Sequence, residues 1–404
     1  MKILLANKFY YPRGGDCIYT LNLESLLKEH GHEVAVFAIQ HPENKETPFR
    51  RYFPTEVSYT SVSDERNRWK AITRPLGTRE VRQKFTELLD DFRPDVVHLN
   101  NIHTHLSPVL AVIAYRKGIR VVWTLHDFKL LCPRYDCLRN DIPCELCFRN
   151  KSAVLKFNCV KNNLAVSLLA YVEALKWNRG ELERYTHVFI CPSRFMKNKM
   201  LAAGFNASKL KVLPNFTSVS DDLSRSNSVR ENYYAYIGRL SKEKGVETLL
   251  AAAQQAGYPL RIAGDGPLLE SLKTKYESDT IHFLGRCSQK AVAELMSRAR
   301  FTVIPSIWYE NNPLAVIESL CLGTPVLGSN IGGIPELINP GKTGMICEPG
   351  NAADWTGKIR EMFHLSQTFD YQGIQEQATK TFSAKHYYSE IISVYKNPGA
   401  VMDF

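Results

Sequence analysis

Short apolar runs alternate with helix-like segments along almost the whole chain of 404 residues. The first unit has an apolar run at 2–6, a helical segment that ends at Gly31, and a second apolar run at 33–39. Apolar runs of strand length that are separated by helices are typical of parallel sheets covered by helices on both faces. The sequence therefore predicts an α/β protein. The remaining runs lie at 95–100, 120–125, 187–192, 233–238, 259–264, 281–285, 301–306 and 325–329.

The alternation breaks near 212–220, where Pro214 precedes a stretch rich in Ser, Asp and Asn. A chain of this length is long for a single core. We therefore expect two Rossmann-like domains. The first is expected to comprise 1–213 together with 382–404, with an irregular insertion at 128–163, and the second 214–381.

The net charge of +10 is confined to the first half of the chain, since residues 1–213 hold 33 Lys and Arg against 21 Asp and Glu. Such an excess favours an anionic partner: nucleic acid, a phosphorylated substrate or an acidic membrane. No nucleic-acid recognition motif accompanies the charge, so nucleic acid is not an expected partner.

No apolar run reaches the roughly 18 residues that a membrane-spanning helix needs. The first apolar run gives way too soon to polar residues for a secretion signal. The expected compartment is the cytoplasm, where the ten cysteines would be reduced thiols.

Ligands of open parallel sheets bind beyond the carboxyl ends of the strands, so the segments that follow the apolar runs are the candidate site. Arg239 and Lys244 follow the run at 233–238. Two cations on one loop can converge on a diphosphate, Arg through a bidentate contact and Lys as a point charge. The alternative is a solvated loop with surface cations.

Glu310 and Glu318 follow the run at 301–306, with Pro313 between them. Pro313 suits the first turn of a helix, whose free N–H groups can bind an anion. Two carboxylates beside an anion site can accept hydrogen bonds from the hydroxyls of a sugar or ribose. The alternative is a capped amphipathic helix with an exposed Glu.

Three weaker signals follow other apolar runs. Gly264, Asp265 and Gly266 allow close backbone approach to a ligand or form a simple turn. The Gly14-Gly15 pair follows the first run, and its backbone can face a phosphate or a sugar. His126 follows the run at 120–125, where it can meet a substrate or bond to the backbone.

Taken together and in this order, these segments resemble glycosyltransferase family 4, the retaining enzymes of the GT-B fold. The resemblance covers nearly the whole chain, and its specific part is the Arg239 and Lys244 loop combined with Glu310 and Glu318. It implies two Rossmann-like domains with parallel sheets facing a central cleft, and a last helix at 382–395 that crosses back to the first domain.

The resemblance also implies roles for individual residues. Arg239 and Lys244 would hold the donor diphosphate and stabilise the leaving group. Glu310 would contact the transferred sugar, Glu318 would bind the ribose hydroxyls, and His126 would lie close to the sugar. The other donor-binding positions implied are Gly14, Gly15, Gly238, Gly264, Asp265, Arg286, Asn311, Asn312, Pro313, Leu314 and Ala315.

The implied reaction moves a sugar from a UDP- or GDP-sugar to a hydroxyl of a saccharide acceptor by front-face attack. In it the acceptor hydroxyl enters on the side that the nucleotide leaves, and the phosphate takes the proton. Two cations then serve where other enzymes use a metal, so no cofactor is expected for catalysis. The alternatives are another sugar-nucleotide enzyme of the same fold, such as an epimerase, and a non-catalytic nucleotide-sugar-binding protein.

Five cysteines cluster between residues 132 and 159. Cys144 and Cys147 have the separation of a zinc knuckle, and Cys132 and Cys159 could complete a structural zinc site. The outer spacings match no standard zinc finger, so reduced thiols in a buried loop are the alternative.

Acceptor specificity is expected to lie in the first domain, where His103 and His105 follow the run at 95–100 and would line the acceptor side. Residues 50–84 hold nine cations and four acids with aromatic residues among them. That composition suits a membrane surface, although a solvated basic face explains it as well. We expect a peripheral enzyme on the inner face of the cytoplasmic membrane, acting on a lipid-linked acceptor in capsule, O-antigen or exopolysaccharide assembly.

Overall fold

The computed structural model describes residues 1–57, 65–217 and 229–396, and for residues 65–68 the backbone alone. The chain divides into two compact units. The first comprises Met1–Arg139, Cys144–Leu213 and the chain from Tyr388 onward, and the second comprises Asn140–Pro143 and Pro214–Tyr387.

The first unit contains a parallel sheet of six strands in the order β2-β1-β3-β4-β7-β8. Its central strands are buried on both faces, which explains why they are apolar throughout and do not alternate. The strands are β1 (Lys2–Ala6), β2 (Glu33–Phe37), β3 (Val96–Leu99), β4 (Arg120–Thr124), β7 (Val188–Cys191) and β8 (Leu210–Val212). The two-residue strands β5 (Leu138–Arg139) and β6 (Ile142–Pro143) lie in the cysteine-rich insertion, β6 in the short segment that belongs to the second unit.

Helices connect these strands, as parallel pairing requires. They are α1 (Gly15–Glu29), α2 (Glu65–Thr73), α3 (Arg79–Phe92), α4 (Val109–Arg116), α5 (Leu146–Arg149), α6 (Ala153–Lys156), α7 (Leu164–Lys176), α8 (Arg179–Tyr185) and α9 (Arg194–Ala202).

The second unit contains another parallel sheet of six strands, in the order β11-β10-β9-β12-β13-β14. The strands are β9 (Tyr234–Ile237), β10 (Leu260–Ala263), β11 (Ile281–Gly285), β12 (Thr302–Ile304), β13 (Val326–Ser329) and β14 (Gly344–Cys347). The helices are α10 (Val246–Ala256), α11 (Leu269–Tyr276), α12 (Gln289–Arg298), α13 (Leu314–Cys321), α14 (Ala352–Leu365), α15 (Tyr371–Phe382) and α16 (Ala384–Lys396).

The expectation of an α/β fold with two parallel sheets is therefore confirmed. In each sheet the chain order reverses at one point, between β1 and β3 in the first unit and between β9 and β12 in the second. Loops leave such a switch point in opposite directions and open a crevice at the carboxyl ends of the strands. The crevice of the second unit lies where Lys244 and Glu310 follow β9 and β12.

Two edge strands and the start of the last helix differ from the sequence-based expectation. β8 and β14 are short edge strands, and their few residues include Lys211 and Gly344, so they lack a recognisable apolar run. The last helix begins at Ala384, not at residue 382. Ser383 breaks the helical path because it pairs with Thr217, and Tyr387 stacks on Phe216, so both remain with the second unit.

The basic segment at 50–84 presents fewer surface cations than its composition suggests. Arg74 is only 1% exposed, and its guanidinium donates to the Thr55 carbonyl at 2.7 Å and to Glu80 at 3.2 Å. Arg82 and Lys84 donate to backbone carbonyls. These three cations therefore hold the segment together. The part at 58–64 and the side chains of 65–68 lie outside the described residues.

A buried histidine fastens the last helix to the first sheet. His98 on β3 is fully buried, and its two ring nitrogens are hydrogen-bonded to Tyr395 Oη of α16 at 2.6 Å and to Thr124 Oγ1 of β4 at 2.7 Å. Burial, together with the neighbouring His126, lowers the pKa of His98 to about 3, so its ring is neutral near pH 7. A second contact comes from Arg120, whose guanidinium donates to the Val394 carbonyl.

We expect the substitution His98→Ala to lower the free energy of unfolding by about 2–3 kcal/mol, because it leaves a cavity and deprives two buried hydroxyls of a partner. Urea-induced unfolding measures the loss. The substitution Tyr395→Phe is the matched control, since it removes one hydrogen bond and should cost about 1 kcal/mol. Equal losses of unfolding free energy in the two variants would contradict the role given to His98.

Candidate functional site

The centre of the second unit's crevice is an ion pair between Lys244 and Glu310. Glu310 Oε1 accepts a hydrogen bond from Lys244 Nζ at 2.6 Å. The same oxygen accepts from Ser306 Oγ at 2.7 Å and from Trp308 Nε1 at 2.9 Å. The Lys244 ammonium also lies 5.0 Å from the centre of the Trp308 ring, a cation–π distance.

The surroundings of Glu310 keep it ionised in spite of its burial. Burial alone would raise the pKa of its carboxyl, but the charge of Lys244 and the three hydrogen bonds outweigh burial and hold the pKa below the ordinary value. All three donors meet Oε1, and no hydrogen bond from the described residues reaches Oε2. Oε2 can therefore accept a hydrogen bond from a ligand hydroxyl.

Glycines let the loops after β9 and β10 touch through their backbones. Gly264 has φ +155°, and a Cβ at this position would lie 1.9 Å from the Gly238 carbonyl oxygen. A Cβ on Gly266 would lie 2.4 Å from the Leu240 carbonyl oxygen. The Leu240 N–H donates to the Asp265 carbonyl at 2.9 Å. In this structure, then, Gly264 and Gly266 serve the packing of one loop on another.

The first turn of α13 follows the Glu310 loop. Pro313 lies just before the helix, with extended backbone, and the helix itself begins at Leu314. The N–H groups of Leu314 and Ala315 are among the first four of the helix, which have no acceptor within it. They carry the partial positive charge of a helix N-terminus and can bind an anion.

Asn312 has a structural role at the start of this helix. Its side-chain oxygen accepts from the Asn215 backbone N–H at 2.7 Å, and its backbone carbonyl accepts from the Asn215 side chain at 2.8 Å. These contacts fix the loop before α13, where the resemblance assigns backbone N–H groups to the phosphate. Asn311 is buried beside it.

Glu318 lies one turn into α13 and differs from Glu310 in its electrostatics. Its side chain is partly accessible, yet the surrounding protein raises the pKa of its carboxyl to about 7. Burial is the cause of this rise in pKa. A carboxyl in this condition gains from hydroxyl donors, because they favour its ionised form.

The remaining donor-side candidates lie on exposed parts of the same loops. Arg239, Asp265 and Arg286 are all exposed. The Gly285 carbonyl just before Arg286 accepts from the Gly264 N–H at 2.8 Å, which places the Arg286 loop next to the Gly264 loop. The second unit thus brings Gly238, Arg239, Lys244, Gly264, Asp265, Arg286, Glu310 and the start of α13 to one edge of its sheet.

In the first unit, His126 follows β4 at the carboxyl edge of the sheet. Its Nε2 lies 3.0 Å from Asn100 Oδ1, and its ring packs at 4.7 Å against Tyr19. Because an amide oxygen only accepts, Nε2 carries the hydrogen and Nδ1 is an acceptor. Burial lowers the pKa of His126 to about 4, although nearby Asp16 acts in the opposite direction. The ring is therefore neutral near pH 7.

The Gly14-Gly15 pair begins α1 on the same edge. Gly14 has extended backbone and Gly15 is the first helical residue. Next to them, within the described part of the chain, Asp16 Oδ2 and Asn100 Nδ2 are buried without a hydrogen-bond partner. Asp16 Oδ2 lies at an ion-pair distance of 4.0 Å from the Lys8 ammonium, whereas Asn100 Nδ2 is a donor that a ligand at this edge would satisfy.

His103 and His105, the two acceptor-side candidates, are largely enclosed. His103 stacks on Trp123 with ring centres 5.4 Å apart, and His105 packs near Phe9 at 5.5 Å. Burial lowers the pKa of both, that of His105 to about 3. His103 is 8% exposed, and the acceptor-side role of both histidines stays a prediction.

The structural zinc site expected in the cysteine cluster stays a prediction. The thiol of Cys132 is hydrogen-bonded to Cys137 and Cys147, and these bonds lower its pKa and raise those of its two partners. Among the described residues, no group of three or more His, Cys, Asp or Glu side chains is arranged to hold a metal ion. Elemental analysis of the purified protein tests the zinc site predicted at Cys132, Cys144, Cys147 and Cys159.

Several residues that shape the site escaped the sequence-based prediction. Ser306 and Trp308 bind Glu310, and Asn100 orients His126. Gly332 also belongs here. Its φ is +64°, and a Cβ at this position would collide with backbone atoms of Glu310, so only glycine lets the loop after β13 pack on Glu310. The position of these residues directly after strands was the signal that could have found them.

Comparison with known proteins gives this chain two matching family profiles. The profile described as Glycosyltransferase Family 4 matches residues 13–221, and the profile described as Glycosyl transferases group 1 matches residues 221–380. Together they cover nearly all of the chain.

Individual relatives span most of the chain. An uncharacterized 42.6 kDa protein in the cps region of Klebsiella pneumoniae is 30% identical, over 83% of this chain and 87% of its own length. The N-acetyl-alpha-D-glucosaminyl L-malate synthase of Bacillus anthracis is 23% identical, over 98% of this chain and 96% of its own.

A solved structure shares the fold. The Anabaena protein HepE in complex with UDP superposes with a TM-score of 0.67 at 18% sequence identity, covering 98% of this chain and 99% of its own. The same protein has been solved with UDP-glucose. The fold is therefore of the GT-B type.

We expect the substitution Lys244→Met to lower the free energy of unfolding by about 2–3 kcal/mol near pH 7, because it leaves the Glu310 carboxylate buried without its cation. The carboxyl pKa then rises, so the difference from wild type should shrink as the pH falls and the carboxyl protonates. Urea-induced unfolding at pH 8 and pH 5 measures both effects.

The matched control is Lys242→Met, which removes an exposed cation from the same short turn. The double variant Lys244→Met/Glu310→Gln should recover part of the loss, since it removes the unpaired charge. If Lys244→Met is no more destabilising than Lys242→Met at pH 8, the ion pair does not stabilise the site.

Proposed function

The chain belongs to glycosyltransferase family 4, and from this membership we propose that it moves a sugar with retention from a UDP- or GDP-sugar to a hydroxyl of a lipid-linked saccharide. The observation that supports this proposal best is the buried Lys244–Glu310 pair at the switch point of the second sheet. Beside it lie an exposed arginine and the start of a helix, which together suit a diphosphate.

For the donor diphosphate, the proposal assigns Arg239, Lys244 and the N–H groups of Leu314 and Ala315. The developing negative charge on the leaving nucleotide would be stabilised by these cations and the helix N-terminus. Lys244 already contacts one carboxylate, so a diphosphate would share its ammonium with Glu310 and need not displace it. A uridine nucleotide is favoured by the likeness to HepE, which binds UDP and UDP-glucose.

For the sugar and the ribose, the proposal assigns the two carboxylates. Glu310 would accept from a hydroxyl of the transferred sugar through Oε2, while Oε1 remains bound to its three donors. Glu318 would accept from the ribose hydroxyls, which favour its ionised form and so lower its raised pKa on binding.

For the chemical step, the proposal is front-face attack without a metal. The acceptor oxygen forms its bond to the anomeric carbon on the face from which the nucleotide departs, and the acceptor proton passes to a phosphate oxygen of the leaving diphosphate. His126 would accept from a sugar hydroxyl through Nδ1, because it is neutral and its Nε2 hydrogen is bound to Asn100. His126 thus orients the sugar and transfers no proton.

For the acceptor and the pathway, the proposal is surface-polysaccharide assembly at the inner face of the cytoplasmic membrane. It is supported by the likeness to a relative from a cps region. In the described residues no helix combines the length and the apolar character needed to cross a bilayer. A lipid-linked acceptor would then require the protein to meet the membrane from one side.

The proposed function predicts selective turnover of one nucleotide sugar from a panel of UDP- and GDP-sugars, measured as nucleotide release. Lys244→Ala and Arg239→Ala should each lower kcat by about 10²–10³-fold, because each removes charge that stabilises the leaving group. The matched control Lys242→Ala should keep wild-type turnover. The proposal would be contradicted if no nucleotide sugar in the panel shifted the thermal unfolding of the protein and none released its nucleotide.

Donor affinity should depend on pH through Glu318. Its carboxyl pKa of about 7 is raised, so ionisation grows as the pH rises. The ionised carboxylate accepts hydrogen bonds from ribose hydroxyls better than the protonated carboxyl does. The Kd for the donor should therefore fall about tenfold between pH 6 and pH 8. Calorimetric titration with the preferred donor measures the change.

The variant Glu318→Gln is the control for this pH dependence, since an amide does not titrate. It should bind the donor more weakly at pH 8 and show a flat profile. An unchanged pH profile in the variant would show that another group titrates.

A further inference from the structure

Helix α7 of the first unit carries a stripe of large apolar side chains on its exposed face. Leu164, Leu168, Val172 and Leu175 are 62%, 50%, 40% and 50% exposed, respectively. Their spacing of four, four and three residues places all of them on one side of the helix. We call these four residues the α7 stripe.

The inner face of α7, which packs on the protein, carries small and charged side chains. Its buried residues are Ser167, Ala170 and Glu173. Glu173 forms an ion pair with Lys129 at 2.9 Å, with side chains 7% and 12% exposed. A surface helix ordinarily turns its apolar side to the core and its polar side to water. In α7 small and charged residues face the protein and leucines face outward, which marks a surface that another apolar medium covers.

A second helix with exposed apolar side chains is α2, and the turn that follows α2 contacts the carboxyl end of α7. On α2, Trp69 is 69% exposed and Ile72 is 45% exposed. The turn at Arg74–Leu76 follows α2 directly, and its carbonyls accept from both Trp177 Nε1 at 2.8 Å and Lys176 Nζ at 2.6 Å. The exposed apolar side chains of both helices therefore lie on adjoining elements of one unit.

The sequence that contains the α7 stripe is mainly basic. Residues 149–180 contain six Lys and Arg and a single acid, and that acid is the buried Glu173. Lys161 and Lys176 lie at the two ends of the stripe and are exposed. An apolar stripe flanked by cations attracts an anionic surface and repels a second copy of itself.

We propose that the α7 stripe docks on an anionic phospholipid bilayer, with α7 in the plane of the interface and its leucines among the acyl chains. The flanking lysines then meet the lipid phosphates, and each near the surface adds to the attraction. This inference rests on the proposed function only for the reason why the protein would bind a membrane, which is access to a lipid-linked acceptor. Binding to the bilayer itself requires neither donor nor acceptor.

Sedimentation of the full-length protein with vesicles tests the proposal. We expect binding to vesicles of phosphatidylcholine with 30% phosphatidylglycerol, weaker binding at high salt, and little binding to phosphatidylcholine alone. Leu168→Glu should weaken binding roughly tenfold or more, because it removes a leucine that the bilayer would bury and adds a charge of the wrong sign. Leu164→Ser tests the stripe with a milder substitution and should weaken binding in the same direction.

The matched control is Leu201→Glu, the same substitution at an exposed leucine of α9, which should bind as wild type does. Thermal unfolding and the thermal shift with a nucleotide sugar show that each variant is folded, and they report on the proposed function separately from vesicle binding. Three results would overturn the proposal: no sedimentation of the wild type with anionic vesicles, equal binding by Leu168→Glu and Leu201→Glu, or a wild-type dimer that Leu168→Glu converts to monomer.

Discussion

A carboxylate that lies almost out of reach of water stays ionised only where a cation and hydrogen-bond donors surround it. Glu310 is such a group, and Lys244, Ser306 and Trp308 supply what it needs. Lys244 follows β9 and Glu310 follows β12, so their pairing joins the loops on either side of the switch point. The positions proposed for the diphosphate and the sugar depend on this one contact.

The sequence predicted those elements that are set by local patterns. Buried parallel strands must be apolar on both faces, so the runs that became β1, β3, β4, β9, β10, β12 and β13 could be recognised. The edge strands β8 and β14 could not, because they are short and contain Lys211 and Gly344. Positions in loops after strands were also predictable, since topology alone brings Lys244 and Glu310 to one edge.

What could not be predicted depends on contacts between residues distant in the sequence. In the sequence Arg74 is one of nine cations at 50–84 and looks like a surface residue, yet hydrogen bonds to Thr55 and Glu80 hold it inside the first unit. His103 reads as a polar residue after a strand, yet it packs on Trp123. The cysteine spacing suggested one set of ligands, whereas the fold brings Cys132 to Cys137 and Cys147. Spacing gives the residue types that are available, and tertiary packing decides which of them meet.

The backbone contact between the loops at 238–240 and 264–266 has a consequence for altering the donor preference of this enzyme. Main-chain hydrogen bonds and absent Cβ atoms set the path of both loops, and two side chains add to them: the Asp265 carboxylate accepts from the Gly266 N–H at 2.6 Å, and the Tyr236 hydroxyl donates to the Arg239 carbonyl at 2.8 Å. Exposed side chains on the adjoining loop that take no part in these contacts, such as that of Arg286, can therefore be exchanged without moving the frame beside them. A library for a different nucleotide or sugar would vary those positions and keep every glycine.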